Sequence, residues 1–180
     1  MPVNSEHSVI LTTDRLILRE ISDSDLNYIR SLFNESSFMM FFPEQKKLEK
    51  TEAWIKYMIE SYKTNGYGFW ICELKPANVF IGHCGFLSLT ESDNRELELG
   101  YSILRKYRNN GYATEAAKAC VAYAIQHLSA EKIIAKIESY NIASVHVAEK
   151  AGLKFEKSIK LERKKIDMYS VINHKSWNRK

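Results

Sequence analysis

Residues 16–21, LILREI, mix apolar and polar positions with enough alternation to read as a strand. Ser22 followed three residues later by Asp25 is a helix-start signal, and Leu26, Ile29, Leu32 and Phe33 continue at helical spacing. A second helical stripe holds Trp54, Ile55, Met58, Ile59 and Tyr62 and stops at Asn65-Gly66. The period then changes to two. Residues 69–74 and 79–89 read as strands joined by the turn Lys75-Pro76-Ala77-Asn78, and after a polar loop, 90–95, a further strand covers 97–103. Ala113, Ala117, Cys120, Val121, Ala124, Ile125 and Leu128 form the apolar stripe of the next helix, and its alanines allow close approach to a sheet. A short strand at 132–137, a helix at 141–151 with Gly152 as its C-cap, and a hairpin over 155–171 complete the chain. The order βαα, three strands, α, β, α, ββ predicts an α/β domain, and with no internal repeat or low-complexity linker the expectation is one domain over 1–180.

Composition narrows the class. A chain of 180 residues, 45% hydrophobic and 27% charged, can bury one sizeable core and does not read as disordered. No run approaches the roughly 20 apolar residues that a membrane helix needs. The N-terminal MPVNSEHSVILTTDR lacks a basic start followed by an apolar segment, so a cytoplasmic protein with no membrane partner is expected. The net charge of +4 suits an anionic ligand but is too small to point to nucleic acid. Basic residues gather late, at Lys154, Lys157, Lys160, Arg163, Lys164 and Lys165 and again at Lys175, Arg179 and Lys180. They read as a solvated face, with an RNA-docking surface as the weaker alternative. Cys72, Cys84 and Cys120 fit no zinc or redox spacing, and the histidines form no ligand pair, so no metal is expected.

The stretch RKYRNNGYATEA, from Arg105 to Ala116, carries the chemistry. It falls between a strand and a helix, and a helix start offers unpaired N–H groups and a partial positive charge. Gly111 can take a positive φ and Ala113 is small, so the amides from Asn109 to Thr114 can curl around phosphate oxygens. Arg108, with Arg105 or Lys106, would add a charge-assisted contact, and Thr114 a hydroxyl. The alternative is a plain loop in which Asn110 or Gly111 caps the helix. Neither GxxxxGK[ST] nor GxGxxG after a strand occurs, which argues against a P-loop nucleotidase and against hydride transfer. Cys120 falls on an apolar helix face with no histidine placed to activate it, so a covalent cysteine route is not expected.

Arg108-Asn109-Asn110-Gly111-Tyr112-Ala113, together with NIASVHVAEKAGLKF at 141–155, resembles the GNAT (GCN5-related) acyl-CoA N-acyltransferases. The first stretch fits that family's [Q/R]-x-x-G-x-[G/A] turn. TDRLILREISDSD at 13–25, ELGYSI at 98–103 and GYATEA at 111–116 are similar to its RimJ/RimL branch, and the resemblance runs over 11–171. It implies a mixed α/β (α+β) fold whose mostly antiparallel sheet of six or seven strands is flanked by about four helices. It also implies acetyl-CoA as co-substrate and a primary amine as acceptor, either a protein N-terminus or a small amine.

Carried over residue by residue, the resemblance puts coenzyme A's diphosphate against Arg108, Asn109, Asn110, Gly111, Tyr112, Ala113 and Thr114. The pantetheine arm would pair with the backbone of Tyr101, Ser102 and Ile103, with Asn141 beside it; Asn141 reads equally as a helix N-cap. Glu98 is the candidate general base, with Glu96 on the same strand face. Its alternative is a solvent-facing residue or the partner of a nearby basic group. Many family members carry a tyrosine acid seven residues after the helix asparagine, where this chain has Ala148. Ser144 is the first substitute, as the branch suggests, and Tyr140 the second. Ala148 also gives weight to a non-catalytic acyl-CoA-binding module. Trp54, Met39, Phe41, Phe42, Phe69, Trp70 and Tyr101 are candidate acceptor walls. FMMFFP at 38–43 is a candidate lid or homodimer contact, and Glu91, Asp93, Glu96 and Glu98 would attract a cationic acceptor.

Overall fold

A computed structural model describes residues 8–35, 48–88, 96–161 and 164–173. Met39, Phe41, Phe42, Glu91, Asp93, Arg163 and the lysines and arginine of the tail lie outside the described residues. The strands are β1 Val9–Thr12, β2 Leu16–Glu20, β3 Phe69–Leu74, β4 Val79–Ser88, β5 Glu96–Ile103, β6 Lys132–Glu138, β7 Lys154–Leu161 and β8 Lys164–Ile172. The α-helices among the described residues are α1 Leu26–Phe33, α2 Leu48–Asn65, α3 Tyr112–His127 and α4 Ile142–Lys150. The strands form one sheet in the order β1-β2-β3-β4-β5-β6-β8-β7. β5 and β6 pair in parallel, while β1–β2, β2–β3, β6–β8 and β7–β8 are antiparallel. The expected architecture is observed, with one strand added: β1 is only four residues long, too short to show an alternating pattern.

The chain divides into two compact units, residues 1–84 with 102–112 and residues 85–101 with 113–180, and β4 and β5 run from one into the other. In the first unit α1 packs on α2. Ile29, Leu32, Phe33, Ile55 and Met58 are buried there, and Thr51 and Ser61 extend the same stripe of α2. Gly66 ends that helix at φ 77°, as the sequence suggested. β3 is buried on both faces, which is why FWICE reads as an apolar run. In β2 Arg19 is buried, and Asp25 and Glu73 neutralise its charge there.

In the second unit Ala116, Ala117, Cys120, Val121 and Ala124 make the buried stripe of α3. α4 lies on β6 and buries Ala148 completely. β7 is the outer strand and almost wholly exposed, and its lysines at 154, 157 and 160 blunt an otherwise open edge. Lys164 pairs with Glu138 and Lys165 stands 4.0 Å from Asp167, and Lys154, Lys157 and Lys160 are exposed, so the described lysines of the basic run lie on a solvated face.

Candidate active site

The ladder between β5 and β6 is short, running from Glu96 opposite Lys132 to Glu98 opposite Ile134, and each strand continues past it. The far end of β5 is held by β4. The Leu104 N–H donates to the Ile81 carbonyl at 2.8 Å, and a Cβ on Gly82 would stand 2.1 Å from the Ser102 carbonyl oxygen. No residue with a side chain fits there, so this glycine fixes the last residues of β5 against β4.

Beyond β5 a short 3-10 turn, Arg105–Tyr107, leads into the bend. Asn109 and Gly111 both take left-handed backbones, at φ 63° and 80°, which orients successive peptide groups for a concave N–H surface. The Asn110 side-chain nitrogen turns back to donate to the carbonyls of Tyr107 and Arg108, at 3.2 and 2.9 Å. α3 then starts at Tyr112, so Tyr112, Ala113 and Thr114 supply the first-turn N–H groups that a helix leaves unpaired internally. This backbone suits a diphosphate. Arg108 shapes the bend: its Nε donates to the Ile103 carbonyl at 2.7 Å and its Nη2 to Glu35 Oε2 at 2.9 Å. Glu35 Oε1 accepts the Arg105 N–H at 2.7 Å. Neither Glu35 nor Arg15 was marked by the sequence, and the guanidinium of Arg15 lies against the bend at Asn110 and Tyr112.

The second unit gathers Tyr101, Asn141 and Ser144. Asn141 Oδ1 accepts the Ser144 N–H at 3.2 Å, making Asn141 the N-cap of α4. The Tyr101 hydroxyl donates to the Ser144 carbonyl at 2.6 Å. The cap uses only the oxygen of the Asn141 amide, whose nitrogen carries two donors, so capping and a ligand contact are compatible. Glu98 pairs through Oε2 with Lys136 Nζ at 2.9 Å, the ion-paired alternative the sequence allowed. Tyr140 is 58% exposed, and a hydrogen bond to Glu138, with some burial, pushes its hydroxyl above the ordinary tyrosine value. Lys136 was missed, because its ring of neighbours is set by strand pairing and not by spacing along the chain.

Of the expected acceptor walls, Trp70 is sealed in the core and Phe69 is buried, since β3 is covered on both faces. Trp54 is half-buried and meets Phe33 at 5.2 Å, His83 at 5.3 Å and Phe69 at 5.7 Å between ring centroids. Burial pushes His83, 4% exposed, down to about 3. All three cysteines are buried, and burial, with smaller effects of Cys84 and Glu73, pushes the Cys72 thiol up, so none is placed as a nucleophile.

Residues 15–154 match the acetyltransferase (GNAT) domain family. The chain belongs to the GNAT acetyltransferases. This GNAT protein is 34% identical over 169 residues to YkkB of Bacillus subtilis strain 168, covering 93% of this chain and 96% of that one. Its fold is similar to the crystal structure of a GNAT-family acetyltransferase from Bacillus anthracis, with a TM-score of 0.78 at 24% identity, covering 91% of this chain and 98% of the other. It is equally similar to RimL, a ribosomal L7/L12 α-N-protein acetyltransferase solved with coenzyme A, with a TM-score of 0.78 at 18% identity over 92% and 98% of the two chains. Family membership makes the protein an N-acetyltransferase, which sets aside the purely binding module. Among the described residues no group of His, Cys, Asp and Glu is arranged to hold a metal, and no helix is long and apolar enough to cross a membrane.

Proposed function

We propose that the enzyme transfers the acetyl group of acetyl-CoA to a primary amine by direct attack, with a protein N-terminal α-amine as the acceptor. The bend at Asn109 and Gly111, opening into the first turn of α3, carries this reading, because it offers main-chain donors to a diphosphate. When bound, acetyl-CoA supplies the thioester. The backbone of Tyr101, Ser102 and Ile103 offers an extended edge to the pantetheine arm, and the Asn141 amide nitrogen adds a donor. The motifs shared with the RimJ/RimL branch favour a protein N-terminus. Magnitude favours it too: deprotonation at pH 7 costs an α-amine of pKa near 8 about 1.4 kcal/mol and a lysine near 10.4 about 4.6 kcal/mol.

Glu98 takes the proton of the attacking amine, directly or through water, on the oxygen that Lys136 does not hold. Lys136 fixes the orientation of that carboxylate. The departing sulfur needs little help, since a thiol of pKa about 8.5 leaves readily as thiolate. Ser144 is the first proton donor, on a helix turn whose main chain Asn141 and Tyr101 both hold. Tyr140, with its hydroxyl pushed up, is the second.

Titration calorimetry with acetyl-CoA tests the coenzyme half. Binding by the native chain is expected, with at least a 100-fold loss in Gly111→Val, whose side chain is strained at this φ and blocks approach to the amides. Equal affinity in both proteins would refute it. Thiol release tests the acceptor half, using a peptide with a free α-amine, the same peptide blocked, and a polyamine. Release with the free peptide alone supports a protein N-terminus, and release with the polyamine alone moves the acceptor to small amines.

A further inference from the structure

We infer that the first unit holds a second ligand site, which takes a small organic cation: an ammonium or guanidinium group on a short apolar body. The site is a cavity of about 670 Å³ with Arg19, Asp25 and Glu73 in its wall. Every residue lining it belongs to the first unit, and none is a candidate for binding the coenzyme or moving the proton. The volume lies in the range of pockets that hold small molecules.

Charge in that wall does not balance. Two carboxylates face one guanidinium, and the side chains of Arg19, Asp25 and Glu73 are 7%, 2% and 9% exposed. The guanidinium is fully committed. Its Nε donates to Glu73 Oε1 at 2.9 Å, and its Nη1 to Asp25 Oδ2 at 2.9 Å and the Glu20 carbonyl at 3.0 Å. Nη2 donates to Asp25 Oδ1 at 2.8 Å and stands 2.8 Å from Glu73 Oε1. An anion entering the cavity finds no open donor on this arginine. Asp25 is committed too, since Oδ2 also accepts the Ser22 N–H at 2.9 Å. Glu73 is not. Both of its contacts with Arg19 use Oε1, and among the described residues nothing donates to Oε2.

One negative charge is therefore left over, nine-tenths buried and ending in an open acceptor, where a carboxylate without its own counter-charge is costly. A cation that donates hydrogen bonds supplies both the charge and the donor. A bare metal ion would need several more oxygen ligands, and among the described residues no group is arranged to hold one. Exposed Asn27 and Asn78 add neutral amides beside the carboxylate. Val9 and Tyr28, 55% and 45% exposed, add apolar surface for the body of the ligand.

The test is a heteronuclear NMR titration of the full chain, without coenzyme, using butylammonium and butylguanidinium against neutral butyramide and anionic butyrate. Both cations are expected to bind at about 1 mM or tighter, to shift the side-chain amides of Asn27 and Asn78, and to bind at least about 10-fold more tightly than the two controls. Glu73→Gln keeps an acceptor for Arg19 and removes the spare charge, and it is expected to weaken the cations at least about 10-fold. Asn27→Lys sets a like charge at an exposed position and is expected to do the same; if Glu73→Gln does not fold, this variant decides. Glu98→Gln is expected to leave the binding as it is. No binding by the native chain, or controls that bind as tightly as the cations, overturns the inference. So does binding that neither Glu73→Gln nor Asn27→Lys weakens. A loss in Glu98→Gln overturns it too, by placing the cation among the acetyl-transfer residues.

Discussion

Two sets of paired charges in this molecule are built from the same chemistry and differ in their access to water. In the first unit Arg19 donates through Nη1 and Nη2 to both oxygens of Asp25, at 2.9 and 2.8 Å, and through Nε to Glu73 at 2.9 Å. Their side chains are 7%, 2% and 9% exposed. In the second unit Glu98 and Lys136 meet at 2.9 Å with side chains 23% and 36% exposed. The buried set has its donors and acceptors matched by geometry, and removing one member strands a charge. The half-exposed pair keeps water within reach, so its carboxylate can lose or gain a partner at little cost. Burial makes charges architectural, and partial exposure leaves them usable for chemistry.

Breaking the buried set should have the largest effect. Asp25→Ala leaves Arg19 with one carboxylate and is expected to lower stability by about 3 to 5 kcal/mol in urea unfolding, as for other severed buried pairs. Glu98→Gln should leave stability within about 1 kcal/mol but lower kcat/KM by about 100-fold or more, with coenzyme affinity unchanged. A loss of folding in the second variant, or of turnover without loss of folding in the first, would reverse the contrast.

Acid sharpens it further. The folded state disfavours the charged form of His83, about 3 against an unfolded value near 6.5. Its contribution is whole above about pH 6.5 and is lost as pH falls, at up to about 1.4 kcal/mol per pH unit. Burial alone would raise the Asp25 carboxyl, but hydrogen bonds from Arg19 and the Ser22 amide outweigh it and hold the group below its ordinary value. Its share is therefore present above the carboxylate range and lost only at lower pH. Urea unfolding between about pH 6.5 and about pH 4.5 should show falling stability from His83, and His83→Phe should flatten that limb. The smallest change is expected from Lys136→Met, within about 1 kcal/mol of native stability, since exposed pairs contribute little. A larger loss would mean the pair is structural after all.

Much of this was legible along the chain. The bend at Gly111, the helix end at Gly66 and the cap at Asn141 were visible because each depends on a few adjacent residues, and here the left-handed glycines and the capped amide are found. The apolar stripes of α2 and α3 were visible because helical period is a local property. The buried charge of Arg19 was not legible, since its partner Glu73 lies 54 residues away and nothing local announces it. Aromatic residues of β3 passed for candidate walls because composition cannot tell a lined pocket from a strand covered on both faces.

By itself the sequence determined the order of elements, the small-residue bend at the mouth of α3 and, through its motifs, the acetyltransferase family, all of which rest on short-range backbone preference and periodicity. Only the tertiary structure decided which charges are sealed and which stay wet: Arg19 with Asp25 and Glu73, Glu98 with Lys136, Arg108 with Glu35, Arg15 over Tyr112. The reason is range. Backbone conformation answers to neighbours in sequence, whereas a long side chain finds its partner only after strands and helices distant along the chain have packed together.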